Sequence, residues 1–158
     1  MKKILYVFVI IVLLFSVSST LNAGNNDFGF FGNFGIMAGD DFKFDPFFWY
    51  FGANLDFFIS DNLILSPEAN LIMQDFNFET FLLQPAIILN VKLSNLFVGG
   101  GVQKMFFIGG TETYSTDLGL KLNAGFRSDN IKFTFFATMP FDSLFEDMLI
   151  GAQIGLGF

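Results

Sequence analysis

The sequence contains no cysteine and no histidine among its 158 residues. Without cysteine there is no disulfide scaffold and no thiol nucleophile. Without histidine, Ser-His and Cys-His catalysis and the commonest zinc sites are excluded. A non-enzymatic protein without metal or cofactor is therefore predicted. Basic residues are also scarce, eight against fifteen acidic ones, and the resulting net charge of -7 argues against a nucleic-acid partner.

Long hydrophobic runs are scarce as well, and the longest one lies at the N-terminus. Two lysines precede twelve uninterrupted apolar residues, Ile4 to Phe15, and small polar residues follow as far as Ala23. This order is typical of a secretory signal peptide, and a permanent membrane anchor needs about 18 apolar residues. We predict a signal peptide over residues 1–23, with cleavage after Ala23 or alternatively near Ser18. One mature domain then spans residues 24–158, with six basic and fifteen acidic residues and a net charge of -9.

Apolar residues are abundant but occur mostly in short runs: 53% of the residues are hydrophobic and 26 are phenylalanine. Three polar turn signals, Ser60-Asp61-Asn62, Ser94-Asn95 and Ser128-Asp129-Asn130, begin 34 residues apart. Runs with two-residue alternation flank each of them, which is the pattern of antiparallel hairpins. A solenoid or propeller is the rival explanation of a period, but only the turns recur here. We predict eight strands, at about 28–38, 47–59, 63–73, 81–93, 96–108, 116–127, 131–140 and 148–158.

The two faces of the predicted strands differ in size and polarity. In the sixth strand one face carries Leu118, Leu120, Leu122, Ala124 and Phe126, and the other carries glycine and polar or charged residues. The interior of an eight-stranded barrel is only wide enough for side chains to fill, so the bulky face is expected to point outward into lipid. The predicted fold is an all-β, closed, eight-stranded antiparallel up-and-down transmembrane β-barrel. A soluble secreted calycin-like ligand-binding barrel is the alternative.

Several segments of the sequence resemble those of a known family. They are the polar hairpin turns, the segment Leu65-Ser66-Pro67-Glu68-Ala69-Asn70-Leu71, the run Val98-Gly99-Gly100-Gly101-Val102 and the terminal Phe158. Together they resemble the small OmpA- and OmpX-like outer-membrane β-barrel family over the whole mature chain. The resemblance implies location in the cell outer membrane, contact with outer-membrane lipid, and recognition by the outer-membrane insertion machinery. Ile154, Leu156 and Phe158 match the family's C-terminal insertion signal, although Gln153 stands where the family usually has glycine.

With the short turns placed in the periplasm and the longer loops outside, most charged residues fall either in the outer loops or in the lumen. Nine acids fall in the outer loops, with Lys43 as their only basic neighbour, so we expect a structural or surface-contact role through acidic loops and a monomeric protein. The predicted lumen network consists of Asp56, Glu68, Lys92, Asp117, Lys121, Arg127 and Lys132. Its near balance favours a side-chain-filled polar lumen, because unpaired buried charges are costly. A narrow porin-like channel is the alternative.

Two local features test the strand assignment. Pro67 and Pro85 fall inside predicted strands, where proline removes a ladder donor, so we expect a bulge or missing ladder bonds beside them. The aromatic run from Phe47 to Tyr50, with Phe106, Phe107 and Phe141, is expected to form an outer aromatic girdle.

Overall fold

A computed structural model describes residues 28–39, 47–74, 79–109, 112–145 and 147–158. The signal peptide assigned to residues 1–23 lies outside them, as do Asp40, Asp41, Asp45, Asp75 and Glu146 of the predicted acidic loops. The described chain forms eight strands: β1 Phe28–Ala38, β2 Phe47–Ser60, β3 Leu63–Gln74, β4 Thr80–Leu93, β5 Leu96–Gly109, β6 Glu112–Arg127, β7 Ile131–Pro140 and β8 Leu149–Gly157.

The strands close into one barrel. Each strand pairs antiparallel with the next, and β1 pairs with β8 from Phe31 opposite Gly157 to Ala38 opposite Ile150. The predicted fold class, a closed eight-stranded antiparallel up-and-down barrel, is confirmed in its architecture. Within the described residues, no helix is long and apolar enough to cross a membrane.

Most strand ends predicted from the turn residues lie within one residue of the strand ends in the structure. All three Ser-Asn turns connect hairpins, and Ser94 adopts a left-handed φ of 61° that closes its two-residue turn. The prediction for β6 was wrong: the strand begins at Glu112, not at about residue 116. The segment expected as a long loop from Gly109 to Ser115 is therefore mostly strand, and β5 and β6 pair as far as Gly109 opposite Glu112.

The barrel is inverted relative to a soluble one. Its buried side chains include fifteen polar or charged residues, among them Asp56 and Lys121 with no exposure. Large apolar side chains are exposed on the outer surface, for example Ile87 at 53%, Leu122 at 40% and Ile154 at 48%. The alternation read in the sequence is thus the alternation of the two barrel faces.

Both prolines lie inside strands without shifting the register. Pro67 stands opposite Ile87 and Pro85 opposite Ala69 in the β3–β4 ladder, which runs without interruption. On the other side of each proline, ladder pairs are missing. The β2–β3 ladder has a gap between the pairs Asn54–Glu68 and Phe57–Leu65. The β4–β5 ladder has a gap between the pairs Leu83–Phe106 and Ala86–Gln103. Beside the prolines, missing ladder pairs occur and a bulge does not, because each proline removes one donor on one side only. The register shift in the β2–β3 ladder lies farther along, between Phe58 and Ser60.

A bulge does occur near the end of β6 that lies opposite the Ser-Asn turns, which we call the outer end of the barrel. Between the pairs Lys104–Leu118 and Phe106–Ser115, the two residues Thr116 and Asp117 oppose the single residue Met105. The Met105 N–H donates to Oγ1 of Thr116 at 3.1 Å, so a side chain replaces the lost ladder partner. Because of the bulge, the two-residue alternation of β6 on its Glu112 side is shifted by one residue relative to the alternation on its Arg127 side.

Adjacent glycines of β5 supply a matched test of the two faces. A Cβ added to Gly101 would collide with backbone atoms of Ile87 and Ile88 on β4, whereas one added to Gly100 would meet first a terminal carbon of the outward Leu122 side chain, at 3.2 Å. We expect Gly101→Ala to lower the free energy of unfolding by about 1–3 kcal/mol, because it overpacks the barrel. Gly100→Ala should change it by less than about 0.5 kcal/mol. Urea unfolding in lipid vesicles measures both, and equal losses would contradict the assignment of faces.

Candidate functional site

The outer end of the lumen is closed by apolar side chains. Met37, Tyr50, Ile72 and Phe136 form one buried cluster, against which Phe48, Leu82 and Leu149 pack. Tyr50 was expected in an outer aromatic girdle, and that prediction was wrong, because its side chain is fully buried inside the barrel. The two-residue alternation already placed Tyr50 on the same face as Asn54 and Asp56. The lumen is therefore filled, and its outer end combines this apolar cluster with the buried amides Gln84 and Gln103.

The middle of the lumen holds an ion pair. Nζ of Lys121 on β6 lies 2.6 Å from Oε1 of Glu68 on β3, and both side chains are almost completely buried. Lys121 also donates to the Tyr50 hydroxyl at 2.7 Å, and that hydroxyl donates to Oε1 of Gln84 at 3.3 Å. The ammonium group stands 4.8 Å from the ring centre of Phe136. The sequence placed Glu68 and Lys121 near mid-strand on the inner face, and the structure brings them together across the barrel.

The turn end of the lumen is organised around one carboxylate. Oδ2 of Asp56 accepts from Nη1 of Arg127 at 2.9 Å, and Nζ of Lys132 lies 3.1 and 3.2 Å from the two carboxylate oxygens. Asn54 and Ser66 each donate to Oδ1 of Asp56 at 2.6 Å. One acid therefore serves four donor residues from β2, β3, β6 and β7. Such a group is expected to be costly to remove.

Uncharged amides extend this network around the wall. Asn90 donates to the Ser66 hydroxyl at 2.9 Å, and Asn33 donates to Oδ1 of Asn54 at 2.9 Å. The Asp56 cluster is thereby connected to β1 and β4, so six of the eight strands contribute to it. The bonds from Arg127 and Lys132 to Asp56 join strands that are not neighbours in the ladder, and together with these amide bonds they hold the turn end of the lumen as one packed unit.

The turn-end cluster contains two cations and one acid, and aromatic rings accommodate the extra positive charge. The guanidinium of Arg127 lies 4.9 Å from the ring centre of Phe31 and 4.5 Å from that of Phe58. Nζ of Lys132 lies 5.7 Å from the ring of Phe31 and 5.1 Å from that of Phe97. Cations over ring faces are stabilised by about 0.5–2 kcal/mol each. The alternation along the strands does not predict these contacts, because phenylalanine occurs on both faces of the barrel.

Two members of the predicted network lie apart from it. Lys92 is half-buried at the rim of a bowl of about 1220 Å³ at the turn end, which Arg127, Asp61 and Asp129 also line. Asp117 was expected to face the lumen, and that prediction was wrong: its side chain is exposed at the bulge of β6. Among the described residues neither Lys92 nor Asp117 forms a salt bridge. The other five predicted members make up the two buried clusters.

The three residues assigned to an insertion signal all lie at the surface. Ile154 and Leu156 on β8 are 48% and 54% exposed, and Phe158 follows the strand with 74% exposure. The Phe158 N–H donates to the carbonyl oxygen of Phe30 at 3.1 Å, which seals the end of the β1–β8 seam. Gln153 points the other way and is buried in the lumen. Recognition of this strand by insertion machinery stays a prediction.

Comparison with solved structures places this architecture among known eight-stranded barrels. The chain is similar to a protein from "De novo design of transmembrane beta-barrels", with a TM-score of 0.51, 15% identity, and coverage of 82% of this chain and 95% of that one. It is also similar to the N-terminal β-barrel domain of Pseudomonas aeruginosa OprF, with a TM-score of 0.50, 10% identity, and coverage of 82% and 97%. No protein-family model and no curated protein sequence matches the chain. At these identities the likeness is one of fold.

Proposed function

We propose that the chain is a non-enzymatic integral protein of the outer membrane, with a side-chain-filled lumen and a structural or surface-contact role. The observation that carries this proposal is the inversion of the barrel. Large apolar side chains cover the outside of a closed ladder, and ion pairs and amides fill the inside. A closed barrel leaves no strand edge to lipid, which is the condition for β-structure in a bilayer.

A soluble calycin-like barrel fits these contacts poorly. Such a protein would have to expose Ile87, Val98, Leu118 and Phe135, each at 49% or more, to water while burying Asp56 and Lys121. Contiguous apolar surface on this scale is rare on soluble monomers. The likeness to a designed transmembrane barrel and to the OprF barrel domain supports the same placement. The outer membrane follows from the resemblance of the sequence and from the predicted signal peptide.

Cell fractionation tests the membrane placement. The expected result is that the protein sediments with the outer membrane and resists extraction by salt and alkali, because its contact with lipid is apolar. Detergent should be needed to release it in folded form. Recovery of folded protein from the periplasm without detergent would overturn the proposal.

The filled lumen predicts that the protein does not conduct ions. The apolar cluster at the outer end and the Glu68–Lys121 pair in the middle obstruct the barrel in series. Purified monomer in a planar bilayer should give no reproducible single-channel steps, whereas a narrow porin would. Two variants serve as a matched comparison of conductance. Tyr50→Ala removes one large side chain from the outer cluster and is the variant expected to raise conductance, whereas Tyr114→Ala removes an exposed tyrosine and is not. Regular conductance by the unmodified protein would instead favour the channel alternative.

A further inference from the structure

The bowl at the turn end of the barrel has the size and chemistry of a site for a small polar ligand. Its volume is about 1220 Å³, and the charged residues that line it are Lys92 and Arg127 on the strands and Asp61 and Asp129 in the turns. Neutral hydroxyl and amide side chains line it as well: Ser60, Asn95, Ser128 and Asn130. A concave surface with a few convergent polar groups is the usual form of a ligand site.

The charges of the bowl are separated by depth. Lys92 and Arg127 are half-buried, whereas Asp61 and Asp129 are exposed. Along the chain, Arg127 precedes Asp129 by two residues and Lys92 precedes the turn residue Asn95 by three. At 3.3 Å per residue, the two cations begin about 7–10 Å below the rim. The bowl is therefore positive on its inner wall and negative at its rim.

The positive charge of the inner wall is not balanced from within the barrel. Lys92 forms no salt bridge among the described residues. Below it, Arg127 and Lys132 share the single carboxylate of Asp56. Arg127 reaches that carboxylate through Nη1, and a guanidinium carries several further N–H donors. A carboxylate that enters the bowl would therefore gain charge-assisted hydrogen bonds at its inner wall.

The acids at the rim decide which carboxylates can enter. Asp61 lies in the β2–β3 turn and Asp129 in the β6–β7 turn, and these two turns are half-way around the ring of eight strands from each other. Within the described part of the chain, neither acid forms a salt bridge. A simple anion is repelled by both of them as it enters, because like charges are brought together. A ligand that also carries an ammonium group is attracted at both levels.

We propose that the bowl binds a short peptide as a zwitterion. Its carboxylate lies at Lys92 and Arg127, and its ammonium group lies at the rim between Asp61 and Asp129. Two or three extended residues span the distance of about 7–10 Å between the two levels. This binding site goes beyond the proposed function, from which it takes only its place in the periplasm.

Titration calorimetry on the purified, detergent-folded protein tests the proposal. The probe is trialanine, and two matched probes each lack one charge: N-acetyl-trialanine lacks the ammonium group, and trialanine amide lacks the carboxylate. We expect trialanine to bind, and each blocked peptide to bind at least about tenfold more weakly, because it loses the complementary charge at one level of the bowl. Equal binding of either blocked peptide would overturn recognition of a zwitterion. Absence of trialanine binding would overturn the site itself.

A lysine outside the bowl supplies a matched control for the inner wall. Lys92→Met should weaken trialanine binding at least about tenfold. Lys104 lies on the outer surface, since it pairs with the exposed Leu118 and its Nζ stands 5.6 Å from the ring centre of Phe106. Lys104→Met should therefore leave binding within about twofold. Equal effects of the two variants would place the peptide elsewhere and contradict the assignment.

Neutralising the rim acids should change which peptide is preferred. Asp61→Asn with Asp129→Asn should remove most of the preference for trialanine over N-acetyl-trialanine, whereas Asp142→Asn with Asp147→Asn at the opposite end of the barrel should keep it. An unchanged preference in the first double variant would overturn the role of the rim. If the folded barrel requires detergent but binds no peptide, the inference fails while the membrane placement stands. If the protein is soluble without detergent, the proposed function fails regardless of peptide binding.

Discussion

Asp56→Ala is expected to produce the largest loss of stability of any single substitution in the lumen, about 5 kcal/mol. The substitution leaves the guanidinium of Arg127 and the ammonium of Lys132 buried without their carboxylate, and it removes the acceptor of Asn54 and Ser66. Two uncompensated cations then lie close together in a poorly solvated space. Equilibrium unfolding in urea, in lipid vesicles and followed by the fluorescence of the single tryptophan, measures the change.

The control for this prediction is an exposed acid of the same type. Asp61→Ala at the β2–β3 turn should change the free energy of unfolding by less than about 0.5 kcal/mol. Replacing Lys132 by methionine in the Asp56→Ala background should restore part of the loss, because it removes one unpaired cation and nearly keeps the side-chain volume at position 132. A cost for Asp56→Ala no greater than that for Asp61→Ala would contradict the description of the turn-end cluster.

The second large effect is expected at the Glu68–Lys121 pair. Glu68→Ala strands a buried ammonium and Lys121→Ala strands a buried carboxylate, so each single variant should lose about 3–5 kcal/mol. The double variant should lose less than the sum of the two by about 1–3 kcal/mol, because it leaves no unpaired charge. The same unfolding measurement on all four proteins gives the coupling energy.

A second cycle shows whether the coupling is specific to this pair. Asp117 lies on the same strand as Lys121 but is exposed and forms no salt bridge among the described residues. Asp117→Ala and Lys121→Ala should therefore add within about 0.5 kcal/mol. Additivity in the Glu68–Lys121 cycle as well would show that the two groups do not interact, and would contradict the middle layer of the lumen.

The strands and their faces were predictable because one physical rule acts along the whole membrane-facing part of the chain. A strand between lipid and a narrow lumen must alternate bulky apolar with small or polar residues, and turn residues must interrupt it. The rule fails where the chain leaves that environment. Residues 112–115 of β6 were predicted as loop because they belong to a polar and glycine-rich stretch, and they form strand nonetheless by pairing with β5 beyond the end of β7.

The partners inside the lumen were less predictable than its members. Asp56 and Arg127 are 71 residues apart, and their contact depends on how the barrel closes and how its strands are staggered, which alternation does not specify. Asp117 was assigned to the lumen by alternation alone, and the bulge at Thr116–Asp117 leaves it exposed. Tyr50 was assigned by residue type to a girdle although its position in the alternation indicated the lumen. Position in the alternation was thus the better guide for Tyr50, and it failed at Asp117, where the bulge interrupts the alternation.

The central claim is that the outer surface of the barrel faces lipid, and cysteine labelling tests it most directly. The chain has no cysteine, so single variants report on one position each. Ile87 and Leu122 are exposed on the outer surface, and Asp142 is exposed on an outer turn. In intact cells, Asp142→Cys should react with a membrane-impermeant maleimide, while Ile87→Cys and Leu122→Cys should stay unreactive until the barrel is unfolded. Reaction of Ile87→Cys and Leu122→Cys at the rate of Asp142→Cys would contradict the membrane placement.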